Sequence, residues 1–167
     1  MKKYWPRIKD VIEVVGFALI ITFILRMFVV MSVQVKQTSM YPTLHNNDRG
    51  ISFVCTKNIG INRFDIAIVD TDKKLLVKRV IGLPGETIEY KNNVLYVNGE
   101  EMKEDFLEEN VYTSDFSVKL GDDEYYCLGD NRENSSDSRT YGPFNKSAIK
   151  STHIFVFYPF NHFGYKG

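Results

Sequence analysis

Apolar residues crowd the N-terminal fifth of the chain and then break into short alternating runs. Val11 to Met31 is an almost unbroken apolar block with Glu13 and Arg26 near its two ends and no charge from Val14 to Leu25. As a helix its 21 residues would measure about 31 Å at 1.5 Å per residue, matching a hydrocarbon core of roughly 30 Å. The flanking charged side chains are long enough to reach the headgroups. Cleavable export signals have shorter apolar cores that end at a small-x-small site. This block is longer and no Ala-x-Ala follows it, so the pattern predicts a retained membrane anchor over 10–31.

Beyond the block the period changes. Ser32–Gln37 alternates polar and apolar residues, as a half-buried strand does. Further strands are predicted over Ile51–Cys55, Phe64–Val69, Leu75–Ile81, Tyr125–Leu128 and Ile154–Tyr158. Thr87–Tyr90 and Val94–Val97 read as a hairpin, and Asn98-Gly99 is a tight-turn signal. The stretch from about 91 to 123 becomes acidic and less regular, a small excursion from the main sheet. No amphipathic helix, repeat or low-complexity tract appears outside the anchor. The prediction is an all-β, antiparallel domain over 32–167, preceded by one transmembrane helix and a short N-terminus, 1–9.

Charge adds a direction to this picture. Lys2, Lys3, Arg7 and Lys9 precede the block, which by the positive-inside rule places the N-terminus in the cytoplasm and the β-domain outside, in the cell membrane with a single pass. The whole chain balances 21 basic against 21 acidic residues, without the basic footprint that nucleic-acid binding requires. Cys55 and Cys127 would then face an oxidising compartment. A bridge stays open, but their apolar strand-like settings favour buried free thiols. His45, His153 and His162 are scattered, no metal-ligand spacing appears, and no cofactor or metal is expected.

Two residues carry candidate chemistry. Ser39 lies just after the apolar block, in Ser39-Met40-Tyr41-Pro42-Thr43-Leu44. A serine hydroxyl attacks poorly until a base takes its proton, and no histidine is placed to do so. Lys78 lies in the apolar run Leu75–Ile81. On a strand it shares a face with Leu76 and Val80, and burial there would lower its affinity for a proton. Taken alone, Ser39 is an ordinary loop serine and Lys78 a lysine whose stem crosses apolar surface. Together they suggest a Ser/Lys dyad.

The motifs around them resemble those of the bacterial type I signal peptidases. Ser39–Leu44 is similar to that family's nucleophile motif, Lys78–Glu86 to its general-base motif, and Gly129–Arg139 to its third box, in the family's order. The resemblance implies an antiparallel signal-peptidase-type fold and a serine endopeptidase that uses Ser39 and Lys78 as catalytic dyad. It implies that Ser135 orients the lysine, that Asp137 and Arg139 form a structural ion pair, and that Asp130 and Arg132 are turn residues. The Ser39 N–H is the first oxyanion donor it implies. Gln37 stands where relatives have a serine or glycine, and either donates its amide there or crowds the substrate. Val33, Val35, Leu76 and Val77 match positions lining shallow pockets for small side chains. The implied partners are secretory preproteins with signal peptides and the lipid bilayer. An alternative from another class is an assembly factor for surface pili, with pilin subunits as partners. A self-cleaving repressor with related chemistry fits poorly, because the chain has an anchor and no DNA-binding domain.

Overall fold

The computed structural model describes residues 5–28, 30–54 and 56–167; the side chains of 5–7, 24–28 and 58 also lie outside the description. Helix α1 spans Trp5–Phe28. Every residue from Ile8 to Phe23 except Gly16 is exposed, and from Val14 to Phe23 that uncovered stretch carries no charge. Among the described residues no helix is long and apolar enough to cross a membrane. Val30 and Met31, read in the sequence as the end of the apolar helix, instead pair in the first strand.

The remainder is built almost wholly from antiparallel strands. They are β1 (Val30–Gln34), β2 (Arg49–Phe53), β3 (Ile66–Asp70), β4 (Leu75–Gly82), β5 (Thr87–Lys91), β6 (Val94–Val97), β7 (Glu100–Met102), β8 (Phe116–Lys119), β9 (Glu124–Leu128), β10 (Phe144–Asn145), β11 (Ile149–Tyr158) and β12 (Gly164–Lys166). Two one-turn helices, α2 (Thr56–Ile59) and α3 (Ser138–Tyr141), complete the list of helical turns with three short 3-10 turns. The large sheet runs β1-β2-β11-β3-β4-β9-β10, with β12 added beside β11. A second sheet runs β7-β6-β5-β8. The acidic stretch predicted as an excursion is thus the outer part of a sheet that already begins at Thr87. Asn98 and Gly99 both take positive φ, 52° and 86°, as a two-residue hairpin turn between β6 and β7 demands.

Alternation along the strands sorts the apolar side chains into three clusters. Val33, Val35, Met40, Leu44, Ile66, Ile68, Ile154 and Val156 form one. Ala67, Val69, Leu76, Val80, Tyr125, Cys127, Phe144 and Ile149 form another. The third joins the two sheets through Ile81, Ile88, Leu95, Leu120 and Leu128. Met40 and Leu44 are pegs: they sink the loop after β1 into the first cluster, with a Leu44 N–H to Met40 O bond of 2.9 Å between them. That loop carries Ser39. Cys127 is a buried free thiol whose pKa is pushed up to about 12, chiefly by burial; Cys55 lies outside the described residues.

Candidate active site

Lys78 sits mid-strand in β4, paired with Ala67 of β3, and is 2% exposed. Its Nζ lies 2.7 Å from Ser39 Oγ. Burial costs the ammonium its water, and this is the largest influence on the group. The carboxylates of Asp137 and Asp130 oppose the effect in part, yet the pKa falls from 10.5 to about 8. At neutral pH about a tenth of the amine is then uncharged, enough to accept a proton from the hydroxyl it touches.

The neighbouring loop fixes the serine. Asn131 N–H donates to the Ser39 carbonyl at 3.1 Å, Asn131 Nδ2 to Thr38 O at 3.2 Å, and Asn134 Nδ2 to Thr38 Oγ1 at 3.2 Å. Among the described residues nothing accepts from the Ser39 N–H, which leaves it free to donate to a developing oxyanion. Gln37 is exposed and lines the same cleft. It holds φ at +75°, a left-handed conformation that suits glycine better, and its N–H donates to Asn46 Oδ1 at 3.0 Å.

An open cleft of about 800 Å³ runs over the pair, between Gln34–Met40 on one side, Lys74–Lys78 on the other, and Glu133–Ser136 at one end. Val35, Leu76 and Val77 line it. Val33 does not: it faces the first apolar cluster beneath. Ser135 lines the cleft too, but its buried hydroxyl has no partner at full hydrogen-bond geometry, Lys78 included.

The third motif does more than turn the chain. Asp137 and Arg139 form a bidentate pair, Arg139 Nε to Oδ1 at 2.9 Å and Nη2 to Oδ2 at 2.8 Å. Burial works against the Asp137 charge, but Arg139, the Gly129 N–H and the nearby Ser135 hydroxyl outweigh it and hold the carboxyl below its ordinary value. Asp130 and Arg132 are not simply turn residues. Asp130 is fully buried against Arg79, with Nε–Oδ1 at 2.9 Å and Nη2–Oδ2 at 2.7 Å. Arg132 reaches Glu104, the Tyr90 hydroxyl and Thr113 Oγ1, tying the motif to the second sheet. Arg79 and Gly129 fall inside the sequence motifs without a role of their own, and Glu104 lies outside them. An arginine inside the apolar run Leu75–Ile81 is the one signal available, since such a charge needs a buried anion.

Gly129 is where these pieces meet. A Cβ at that position would overlap the Ser39 carbonyl oxygen and Ser135 Oγ, and would lie 2.6 Å from Ser135 Cβ. Gly129→Ala is therefore expected to push the nucleophile loop away from Lys78. A misplacement on the order of 1 Å costs about 100-fold in rate. Steady-state kinetics should show kcat falling and KM nearly constant; unchanged kcat would show that the loops yield without moving Ser39.

A serine hydroxyl in contact with a buried, readily deprotonated amine, at the floor of an open cleft, is an arrangement suited to acyl transfer by a serine hydrolase. Comparison with known proteins narrows the class. Residues 8–158 match the family model described as signal peptidase, peptidase S26. Signal peptidase I S of Bacillus subtilis (strain 168) is 41% identical over 162 residues, 89% of this chain and 88% of the relative. Signal peptidase IB of Staphylococcus aureus (strain MRSA252) is 34% identical over 171 residues, 90% of each. The crystal structure of a signal peptidase I from Enterococcus faecalis V583 superposes with a TM-score of 0.51 at 33% identity, covering 56% of this chain and 96% of that one. The chain belongs to the signal peptidase family, peptidase S26.

Proposed function

We propose that this protein is a serine endopeptidase that removes signal peptides from secretory preproteins, with Ser39 as nucleophile and Lys78 as general base. The observation that carries the reading is the 2.7 Å contact between Lys78 Nζ and Ser39 Oγ in a buried setting. Neutral Lys78 accepts the Ser39 proton as Oγ attacks the scissile carbonyl. The Ser39 N–H donates to the resulting oxyanion, and Gln37, which lines the cleft beside it, either adds its amide or narrows the room for substrate. Lys78 ammonium then protonates the departing amine, leaving an acyl-enzyme on Oγ. Water, deprotonated by the regenerated amine, hydrolyses that ester and returns Ser39. Asp137 and Arg139 position this machinery, their ion pair bracing the loop over the lysine.

Substrate selection follows from the cleft. An extended segment of the preprotein lies between Gln34–Met40 and Lys74–Lys78 as an added strand. The branched side chains of Val35, Leu76 and Val77 sit close to where its backbone runs and leave room for small residues only. Helix α1 anchors the enzyme in the bilayer. Its uncharged, uncovered surface from Val14 to Phe23 is what a lipid environment accommodates, and the sequence continues to Phe28 with Arg26 as the one charge. The N-terminus then lies in the cytoplasm and the β-domain, from Val30 onward, outside. Nothing in the fold or among these relatives favours the pilus-assembly alternative or pilin partners.

The test is cleavage of a preprotein carrying an Ala-x-Ala site by the full chain in detergent, with products weighed by mass spectrometry, across a range of pH. Burial places the folded pKa of Lys78 below its free value, so the base is lost as pH falls through about 8. The value of kcat/KM, which reports the free enzyme, should climb tenfold per pH unit below that point and level off above it. A rate flat between pH 6 and 9 would remove Lys78 as the base.

A further inference from the structure

Three side chains far apart in the sequence meet beside the nucleophile loop. His45 and Asp48 close that loop just before β2, and His162 ends the 3-10 turn Phe160–His162 that follows β11. The Asp48 carboxylate is 1% exposed. Its Oδ1 lies 2.8 Å from His162 Nδ1, and its Oδ2 accepts from the His45 backbone N–H at 2.8 Å. The two imidazoles stack with centroids 3.9 Å apart at 24°, and Tyr41 closes the far side of His45 edge-on at 5.1 Å. One ligand atom from each of the three residues lies within 4.8 Å of the other two.

We infer that His45, Asp48 and His162 form a binding site for a divalent first-row transition metal, with zinc as its representative. Two imidazoles and one carboxylate are a donor set such ions favour, and three protein ligands leave a fourth position to water. Zinc bonds of about 2.0–2.2 Å put tetrahedral ligand atoms about 3.3 Å apart. Reaching that spacing requires the two partly exposed rings to turn about their side-chain torsions and the stack to open. The buried Asp48 carboxylate also gains: it has one N–H and one ring nitrogen as partners now, and a dication would offset its charge more fully. A metal here joins the Ser39 loop to the C-terminal turn. It takes no part in the proton transfers at Lys78. A pair of residues would suffice for a simple hydrogen-bonded clasp; the second imidazole is what turns the clasp into a convergent set of donors.

The full chain in detergent, free of any polyhistidine tag and stripped with a chelator, is titrated with Zn²⁺ by calorimetry while bound metal is counted by elemental analysis. One zinc per chain is expected, with a Kd of about 10 μM or tighter. His45→Ala and His162→Ala should each weaken binding about 100-fold, whereas His153→Ala, outside the cluster, leaves it unchanged. Zinc at a hundredfold excess over Kd should raise the melting temperature by about 5–10 °C in wild type and not in the two cluster variants. Should an alanine variant fail to fold, His45→Gln and His162→Gln keep a polar ring-sized side chain and give the same reading. No binding by wild type at on the order of 1 mM zinc, or equal binding by the cluster variants, would overturn the site and leave a hydrogen-bonded clasp.

Discussion

Lys78→Met is expected to lower signal-peptide cleavage about 10⁴-fold while the protein stays folded. Loss of a general base removes about 10²–10⁴-fold of rate, and here the same amine also serves the leaving group and the deacylating water. Methionine fills a similar volume between Leu76 and Val80 and relieves the burial of an amine, so the melting temperature should hold or rise. Lys78→Arg gives the sharper contrast. A guanidinium can still reach Ser39 as a hydrogen-bond donor, but it does not deprotonate at accessible pH. If Lys78 acts by taking a proton, Arg is as inactive as Met; if it only positions Ser39, Arg retains a substantial fraction of the rate. Ser39→Ala should match Lys78→Met, and the double variant should be no worse than either, because residues that act as a unit lose their effect together. Initial rates on one preprotein, with circular dichroism to monitor folding, decide among these outcomes. Turnover above a tenth of wild type in Lys78→Arg would overturn the base assignment.

Much of the sheet was legible because period-2 alternation is a local property. Leu75–Ile81 and Val94–Val97 fall in strands at or within a residue of the predicted ends, and the Asn98-Gly99 turn follows from its own φ requirements. Strand β10, at two residues, and β12, at three, are too short to carry a period. Strand β11 begins at Ile149, five residues before the predicted start, and Lys150 and His153 hide that part by interrupting the apolar pattern; the backbone there is irregular, with His153 at φ +63°. The dyad was legible only through motif order, since 39 positions separate its members. The remaining site contacts were not legible for the same reason. Arg79–Asp130, Arg132–Glu104 and His45–His162 join residues that no local pattern relates. Val33, given a pocket position through the resemblance, packs in the first apolar cluster and does not reach the cleft, because a matched motif fixes order along the chain and not which side chain the cleft uncovers.

The largest loss of stability is expected from Asp130→Ala. Asp130 and Arg79 are buried together at 0% and 4% side-chain exposure, and breaking such a pair by removing one partner costs about 3–5 kcal/mol, because the other charge is left without compensation. Arg79 would keep its bond to Phe64 O at 2.8 Å and its place over the Phe106 ring, 4.0 Å from the centroid; neither neutralises it. For a chain of this length the loss should lower the melting temperature by about 6–20 °C. Activity should fall as well, through geometry. Asp130 Oδ2 accepts from Thr43 Oγ1 at 2.5 Å, so one carboxylate joins the loop bearing Ser39, the strand bearing Lys78 and the third motif. The double replacement Arg79→Met with Asp130→Leu separates the two effects. Apolar side chains of similar volume remove the stranded charge and should restore most of the stability, but they cannot hold Thr43, so kcat should remain low. Calorimetric melting and kcat on the same three proteins provide the check. A single Asp130→Ala variant within about 1 kcal/mol of wild type would mean that Arg79 finds water or another anion; recovery of kcat in the double variant would mean that Met40, Leu44 and the Asn131 and Asn134 bonds hold the loop without the carboxylate.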